Sequence, residues 1–126
     1  RTPLHLAANL GNVDLCHLLL THNAAMNSRD WDGETPLHRA AWQGHLAVAQ
    51  LFIENGAKID CRDDQGWTPI FMAVAANQEK LVSLLVKKGG DINAHCFIGT
   101  TPLFWAARLR NHEEIEELVQ KLGGRQ

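Results

Sequence analysis

Seven histidines, three cysteines and two serines are the side chains of this 126-residue chain best suited to ligate a metal, relay a proton or act as a nucleophile. A structural zinc site would combine cysteine and histidine pairs at short fixed spacings. Cys16, Cys61 and Cys96 stand far apart with no CxxC, and no Cys and His set assembles into such a motif. An odd number of isolated cysteines points to a reducing compartment rather than to a disulfide framework. The strings GxSxG, HExxH and GxxxxGK[ST] are absent, and neither Ser28 nor Ser83 has a nucleophile's setting. Catalytic residues, metal ligands and cofactors are therefore not expected, and the chain is read as a non-enzyme.

Composition narrows the classes further. Hydrophobic residues make up 45% of the chain and charged residues 21%, ordinary values for a globular domain. The longest apolar run, Ile70 to Ala76, is far short of the roughly 18 residues that span a bilayer, so no membrane insertion is expected. A formal charge of −2 offers no long-range attraction to phosphate backbones, and nucleic acid is not an expected partner. The expected location is the cytoplasm or the nucleus.

The elements that would position any functional residue are set by a repeat. TPLHLAA at Thr2 to Ala8 returns as TPLHRAA from Thr35, TPIFMAV from Thr68 and TPLFWAA from Thr101, a spacing of 33 each time. Strict recurrence over a whole chain means one unit stacked on copies of itself, each burying its apolar side against its neighbours. Pro at 3, 36, 69 and 102 suits a first helical position, where the amide it lacks would be unpaired anyway. The preceding Thr is expected to cap the helix through its hydroxyl. Gly11, Gly44 and Asn77 are expected to turn the chain into a second helix, and Asn23, Gly56 and Gly89 to end that helix. The segment after the second helix, such as Ala57 to Trp67, reads as an extended arm with a tight turn. The predicted unit is helix, turn, helix and hairpin-like loop, an all-α solenoid with repeats over about 1–29, 30–62, 63–95 and 96–126.

The 33-residue period, the TPLH string, the Gly44-His45 pair, the Leu18-Leu19-Leu20 and Leu84-Leu85 runs and the Asn55-Gly56-Ala57 tripeptide resemble the ankyrin repeat family along the whole chain. That resemblance implies four stacked ankyrin repeats acting as a protein-binding module, with no small-molecule substrate. It also implies that His5 and His38 are structural, bonding the backbone or the Thr of their own motif. Phe71 and Phe104 replace that histidine in the last two repeats, where apolar packing is expected instead.

In that family the loop tips and the ends of the first helices line a concave face that carries partner contacts. Carried over, the loop positions are Trp31, Asp32 and Glu34, then Asp64, Gln65 and Trp67, then Phe97, Ile98 and Thr100. The helix-end positions are Asn9 and Leu10, Trp42 and Gln43, Ala75 and Ala76, and Arg108 and Leu109. Three of four tryptophans fall in this set, and Trp is overrepresented among residues that dominate binding energy. Trp67 also has a structural reading, as a cover for the neighbouring loop, whereas Trp105 sits where Leu6 does and is expected to be core or half buried. Asp30 and Asp63 hold a place where the family's Asp bonds its own turn, leaving Asp32, Glu34 and Asp64 as free acidic candidates that favour a partner with basic character. The candidate partner-binding set is thus Trp31, Asp32, Glu34, Trp42, Gln43, Asp64, Gln65, Trp67, Phe97, Ile98, Arg108 and Leu109. A second possibility uses the same surface, as a spacer or regulatory segment docking on another domain of its own chain.

Two departures concern the ends. Arg1 stands directly before the first Thr-Pro without the arm a first repeat should have, so a piece of a longer protein is expected. Near the other end, Leu81 aligns with Ile115 at an offset of 34, one residue beyond the period. On that alignment Glu116 replaces Cys16, Ala49 and Val82, and Gln120 replaces Leu20, Ile53 and Val86. Polar residues at stacking positions predict a C-terminal capping repeat. The competing reading of Glu113, Glu114, Glu116 and Glu117 is an acidic recognition helix.

Overall fold

Every first helix starts at the proline of its motif. In the computed structural model, which describes residues 1–108 and 113–125, these helices are α1 (Pro3–Leu10), α3 (Pro36–Gln43), α5 (Pro69–Ala75) and α7 (Pro102–Arg108). The second helices are α2 (Val13–Thr21), α4 (Leu46–Glu54), α6 (Glu79–Lys87) and α8 (Glu113–Lys121). All six residues expected to turn the chain at helix ends, Gly11, Asn23, Gly44, Gly56, Asn77 and Gly89, have φ between 60° and 98°. The extra residue expected before Ile115 lies in a stretch that includes residues 109–112, outside the described residues.

Capping follows the motif's histidine. Thr2 Oγ1 accepts the His5 amide at 3.3 Å, and His5 Nδ1 accepts the Thr2 amide at 3.3 Å; Thr35 and His38 repeat this reciprocal box at 3.5 and 3.0 Å. Because Nδ1 accepts an amide proton, the ring proton sits on Nε2. It is donated to the next loop, from His5 to the Glu34 carbonyl and from His38 to the Trp67 carbonyl, each at 2.7 Å. The structural role implied for His5 and His38 thus joins consecutive repeats as well as closing their own caps. Thr68 corrects the expectation of a hydroxyl cap in every unit. Its backbone is extended like the others, yet its side chain makes no cap bond and its buried Oγ1 has no partner. Phe71 stands where His would complete the box, and an aromatic carbon edge supplies no lone pair.

The helices stack in two rows. α1 packs on α3, α3 on α5 and α5 on α7, while α2, α4, α6 and α8 follow in the same order behind them. Small side chains make the first row close: Ala7, Ala8, Ala40, Ala41, Ala73 and Ala106 are all fully buried. Leu4, Leu37 and Ile70 fill the seam toward the second row, which contributes Val48, Phe52, Leu81, Leu85, Ile115 and Val119. Full burial of each large side chain is worth about 1.5–3 kcal/mol. Every unit draws that from the units it stacks on. Leu15 and Leu18 on α2 are exposed, although their counterparts Val48 and Leu81, and in part Leu51 and Leu84, are covered by the preceding pair. On α8, Glu116 is half-buried and Gln120 exposed.

The arms end in tight turns that are hairpin-like without forming strands among the described residues. Asp30 and Glu34 pair across the first turn through the Asp30 amide at 2.9 Å, Asp63 and Trp67 across the second at 2.9 Å, and Cys96 and Thr100 across the third at 2.9 Å. Adjacent turns are also joined, Asp64 N to Asp32 O at 2.9 Å and Phe97 N to Gln65 O at 3.0 Å.

Candidate functional site

The turn aspartates behave as the resemblance implied. Asp63 is buried, and its Oδ1 accepts the amides of Gln65 and Trp67, both at 2.9 Å. Asp30 Oδ1 does the same for Asp32 and Glu34. Burial acts to raise the Asp30 carboxyl, but the amides of Glu34 and Asp32 outweigh it and hold the group below its ordinary range. In the third turn Cys96 takes this place, its Sγ 3.0 Å from Thr100 Oγ1. Burial works against the Cys96 thiolate, and the bonds from Thr100 nevertheless bring the thiol below its ordinary value.

These turns lie beside the first helices and form one wall of a groove of about 550 Å³. Five of the expected contact residues line it: Glu34, Gln65, Trp67 and Ile98 from three successive turns, and Trp42 from the end of α3. Ile98 is 73% exposed and Trp42 39%. Trp31, 93% exposed, and Phe97, 66% exposed, stand at the loop tips and do not line the groove, nor do the exposed Asp32, Gln43, Asp64 and Arg108. Leu109 lies outside the described residues.

Glu34 is not the free carboxylate the sequence suggested. Its Oε1 lies 3.0 Å from Arg39 Nη1, and both side chains are mostly covered. Arg39 reaches across from α3 and also donates to Asn9 Oδ1 at 2.8 Å from Nη2, so the pair is tied to α1. Burial pushes the Glu34 carboxyl up against the pull of Arg39. Negative charge in this part of the groove is therefore confined rather than solvated.

Arg39, Asp63, Met72, Cys96 and Trp105 also line the groove, and none belonged to the expected set. Arg39, Met72 and Trp105 occupy the same motif position as Leu6, one residue after the His or Phe. A signal existed there: a charged Arg39 beside the alanines of TPLHRAA needs polar partners, which the apolar seam between the helices does not supply. Trp105 is half-buried, as its place in the motif suggested.

The aromatic side chains form a connected set. Trp67 stacks on Phe71 at 5.6 Å and 23°, and meets Trp105 edge-on at 5.3 Å and 60°. Trp105 meets Phe104 at 5.4 Å, and the Arg108 guanidinium lies 5.0 Å above the Phe104 ring. Trp105 Nε1 donates to Thr100 Oγ1 at 2.9 Å, which fixes its ring. The apolar packing expected at Phe71 is thus met, and it supports Trp67 from below.

Both nitrogens of the buried His5 and His38 are bonded within the stack, which leaves neither ring free to take a substrate proton. Among the described residues no group of three His, Cys, Asp or Glu side chains is placed to hold a metal ion, and no helix is long and apolar enough to cross a membrane. The groove's chemical repertoire is apolar and aromatic contact, one ion pair and a net excess of carboxylate. A family model described as ankyrin repeats (3 copies) matches residues 1–63 and residues 48–125. No curated protein matches the chain.

Proposed function

Because the chain belongs to the ankyrin repeat family, whose members generally serve as protein-interaction modules, we propose that it binds a protein partner without catalysis on the concave face formed by its loop tips and first-helix ends. The observation that carries this reading is the convergence of Trp42, Trp67 and Ile98, contributed by different repeats, on one groove. Aromatic and aliphatic anchors in a shared depression, rimmed by polar groups, are the usual composition of an energetic centre in an interface. Trp31 and Phe97 extend the same surface as exposed anchors at the loop tips. A cluster of this kind left open to water is costly unless something covers it.

Affinity capture with the wild-type chain, Trp42→Ala and Gln50→Ala tests the reading. Gln50 is exposed on α4, in the second row of helices. Trp42→Ala is expected to weaken capture at least about tenfold, or about 1.4 kcal/mol, while Gln50→Ala leaves it unchanged. Equal loss in both variants, or in neither, overturns the proposal. Capture of only the chain's own flanking domain would place the same surface in an intramolecular role.

A further inference from the structure

We propose that Gln78 is a positioning residue for Trp42, bracing from the third repeat the helix end that carries this groove residue in the second; this rests on the protein-binding reading and names a side chain outside the groove on which that surface depends. Trp42 stands on the last turn of α3, where a helix has more backbone carbonyls than amides to meet them. The two amides that could reach the Trp42 carbonyl go elsewhere, His45 N to Ala40 O and Leu46 N to Gly44 O, both at 3.0 Å. Gln78 Nε2 donates to the Trp42 carbonyl instead, at 3.3 Å. Gly44 leaves room for this reach, since a Cβ there would run into the Gln78 side-chain amide.

Gln78 leaves its own helix uncapped to do so. It occupies the N-cap of α6, yet its side chain makes no cap bond. Asn12, at the same place before α2, caps in the ordinary way, its Oδ1 accepting the Leu15 amide at 3.0 Å. His45, before α4, makes no cap bond either, and its Nε2 donates at 3.0 Å to the carbonyl of Asn9, the counterpart of Trp42 on α1. A short side chain at this place serves the helix that follows. A longer one serves the first helix of the preceding repeat.

The other two tryptophans of the groove are fixed by other means. Phe71 supports the Trp67 ring and His38 holds the Trp67 backbone, while Thr100 accepts the Trp105 indole N–H at 2.9 Å. Trp42, 39% exposed, stands where a helix frays first. A carbonyl tied to the next repeat narrows the positions open to that last turn, so the indole meets a partner already placed. Anchors set in advance lower the ordering cost of binding.

Gln78→Asn separates positioning from stability, because asparagine, one methylene shorter, suits the cap of α6 and falls short of Trp42. In the intact chain without any ligand, the Trp42 indole N–H signal of a proton–nitrogen correlation spectrum, assigned through Trp42→Phe, reports the ring, and hydrogen exchange at the Gly44 and His45 amides reports the helix end. Gln78→Asn is expected to keep the urea midpoint at or above that of the wild type, to shift or broaden the Trp42 signal, and to speed exchange at both amides at least about threefold. Capture of the protein retained by the wild-type chain should weaken at least about threefold as well. Gln78→His, which copies the residue at 45, should return signal, exchange and capture toward wild-type values. An unmoved Trp42 signal with unchanged exchange overturns the proposal, as does a Gln78→His variant that behaves like Gln78→Asn. A lowered urea midpoint with exchange accelerated alike along the whole chain also overturns it, by marking a role in stability alone. Capture lost in Trp42→Ala but kept in Gln78→Asn has the same consequence. A Trp42 signal that responds to Gln78→Asn while capture is indifferent to Trp42→Ala removes the protein-binding reading and leaves the brace.

Discussion

His38 Nε2 lies 2.7 Å from the carbonyl oxygen of Trp67 and donates its proton to it, so a helix cap in one repeat holds the backbone of a groove residue in the next. The same ring closes its own cap through the Thr35 amide at 3.0 Å. Removing it breaks both bonds and leaves a void in a fully buried position. His38→Ala is expected to cost about 2–4 kcal/mol, read by denaturant unfolding. A loss below about 1 kcal/mol would mean that the ring does not couple the two repeats.

Acid should weaken the fold through the same histidines. Burial holds His38 and His5 below the ordinary imidazole value of 6.5, even though the carbonyls they donate to pull the other way. The unfolded chain then binds more protons in the window between the two values, so stability rises with pH there. The contribution is complete above pH 6.5 and is lost as pH falls from 6.5 through the lower folded value. Glu34, raised by burial, acts oppositely: its contribution is complete below 4.5 and is lost as pH rises through its folded value. Unfolding measured from pH 7.5 to 5.5 should show a fall in wild-type stability that is smaller in His38→Gln, where that residue cannot titrate.

Thr35 and Thr68 hold the same motif position with different consequences. Thr35 Oγ1 lies 2.9 Å from His38 Nδ1, whereas Thr68 Oγ1 is buried without a partner. Thr35→Val is expected to lose about 1–2 kcal/mol. Thr68→Val, which substitutes a methyl for an orphaned hydroxyl, should leave stability unchanged or raise it by up to about 1 kcal/mol. Thermal unfolding of the two variants compares them directly, and equal losses would refute the distinction.

Gly66 and Gly99 end equivalent turns with nearly the same backbone, φ 82° and 84°. A Cβ at Gly66 would fall 2.7 Å from the Phe97 amide nitrogen, but at Gly99 it would meet nothing within 4 Å. Both alanine variants share the left-handed backbone cost of about 1–2 kcal/mol. Gly66→Ala must also displace the next turn, where Phe97 N donates to Gln65 O at 3.0 Å. Gly66→Ala is therefore expected to be less stable than Gly99→Ala by at least about 1 kcal/mol in parallel urea titrations.

The repeat units were legible from Thr2 to Ala107 because their signals are local. Proline at a helix start, a left-handed turn residue and a short apolar stripe act over a few residues, and a period of 33 multiplies them. His5 and His38 could be assigned to structure on the motif alone, and Trp42, Trp67 and Ile98, which line the groove, could be set apart from the stacking positions by their place between motifs. Local signals could not show that Glu34 is neutralised by Arg39, or that Trp105, 38 positions after Trp67, meets it at 5.3 Å. Nor could they show that Phe71 both orphans Thr68 and supports Trp67. Those outcomes depend on how one unit sits on the next, and stacking places one motif position in the groove wall at Arg39, Met72 and Trp105 while Leu6, its counterpart in the first repeat, is exposed.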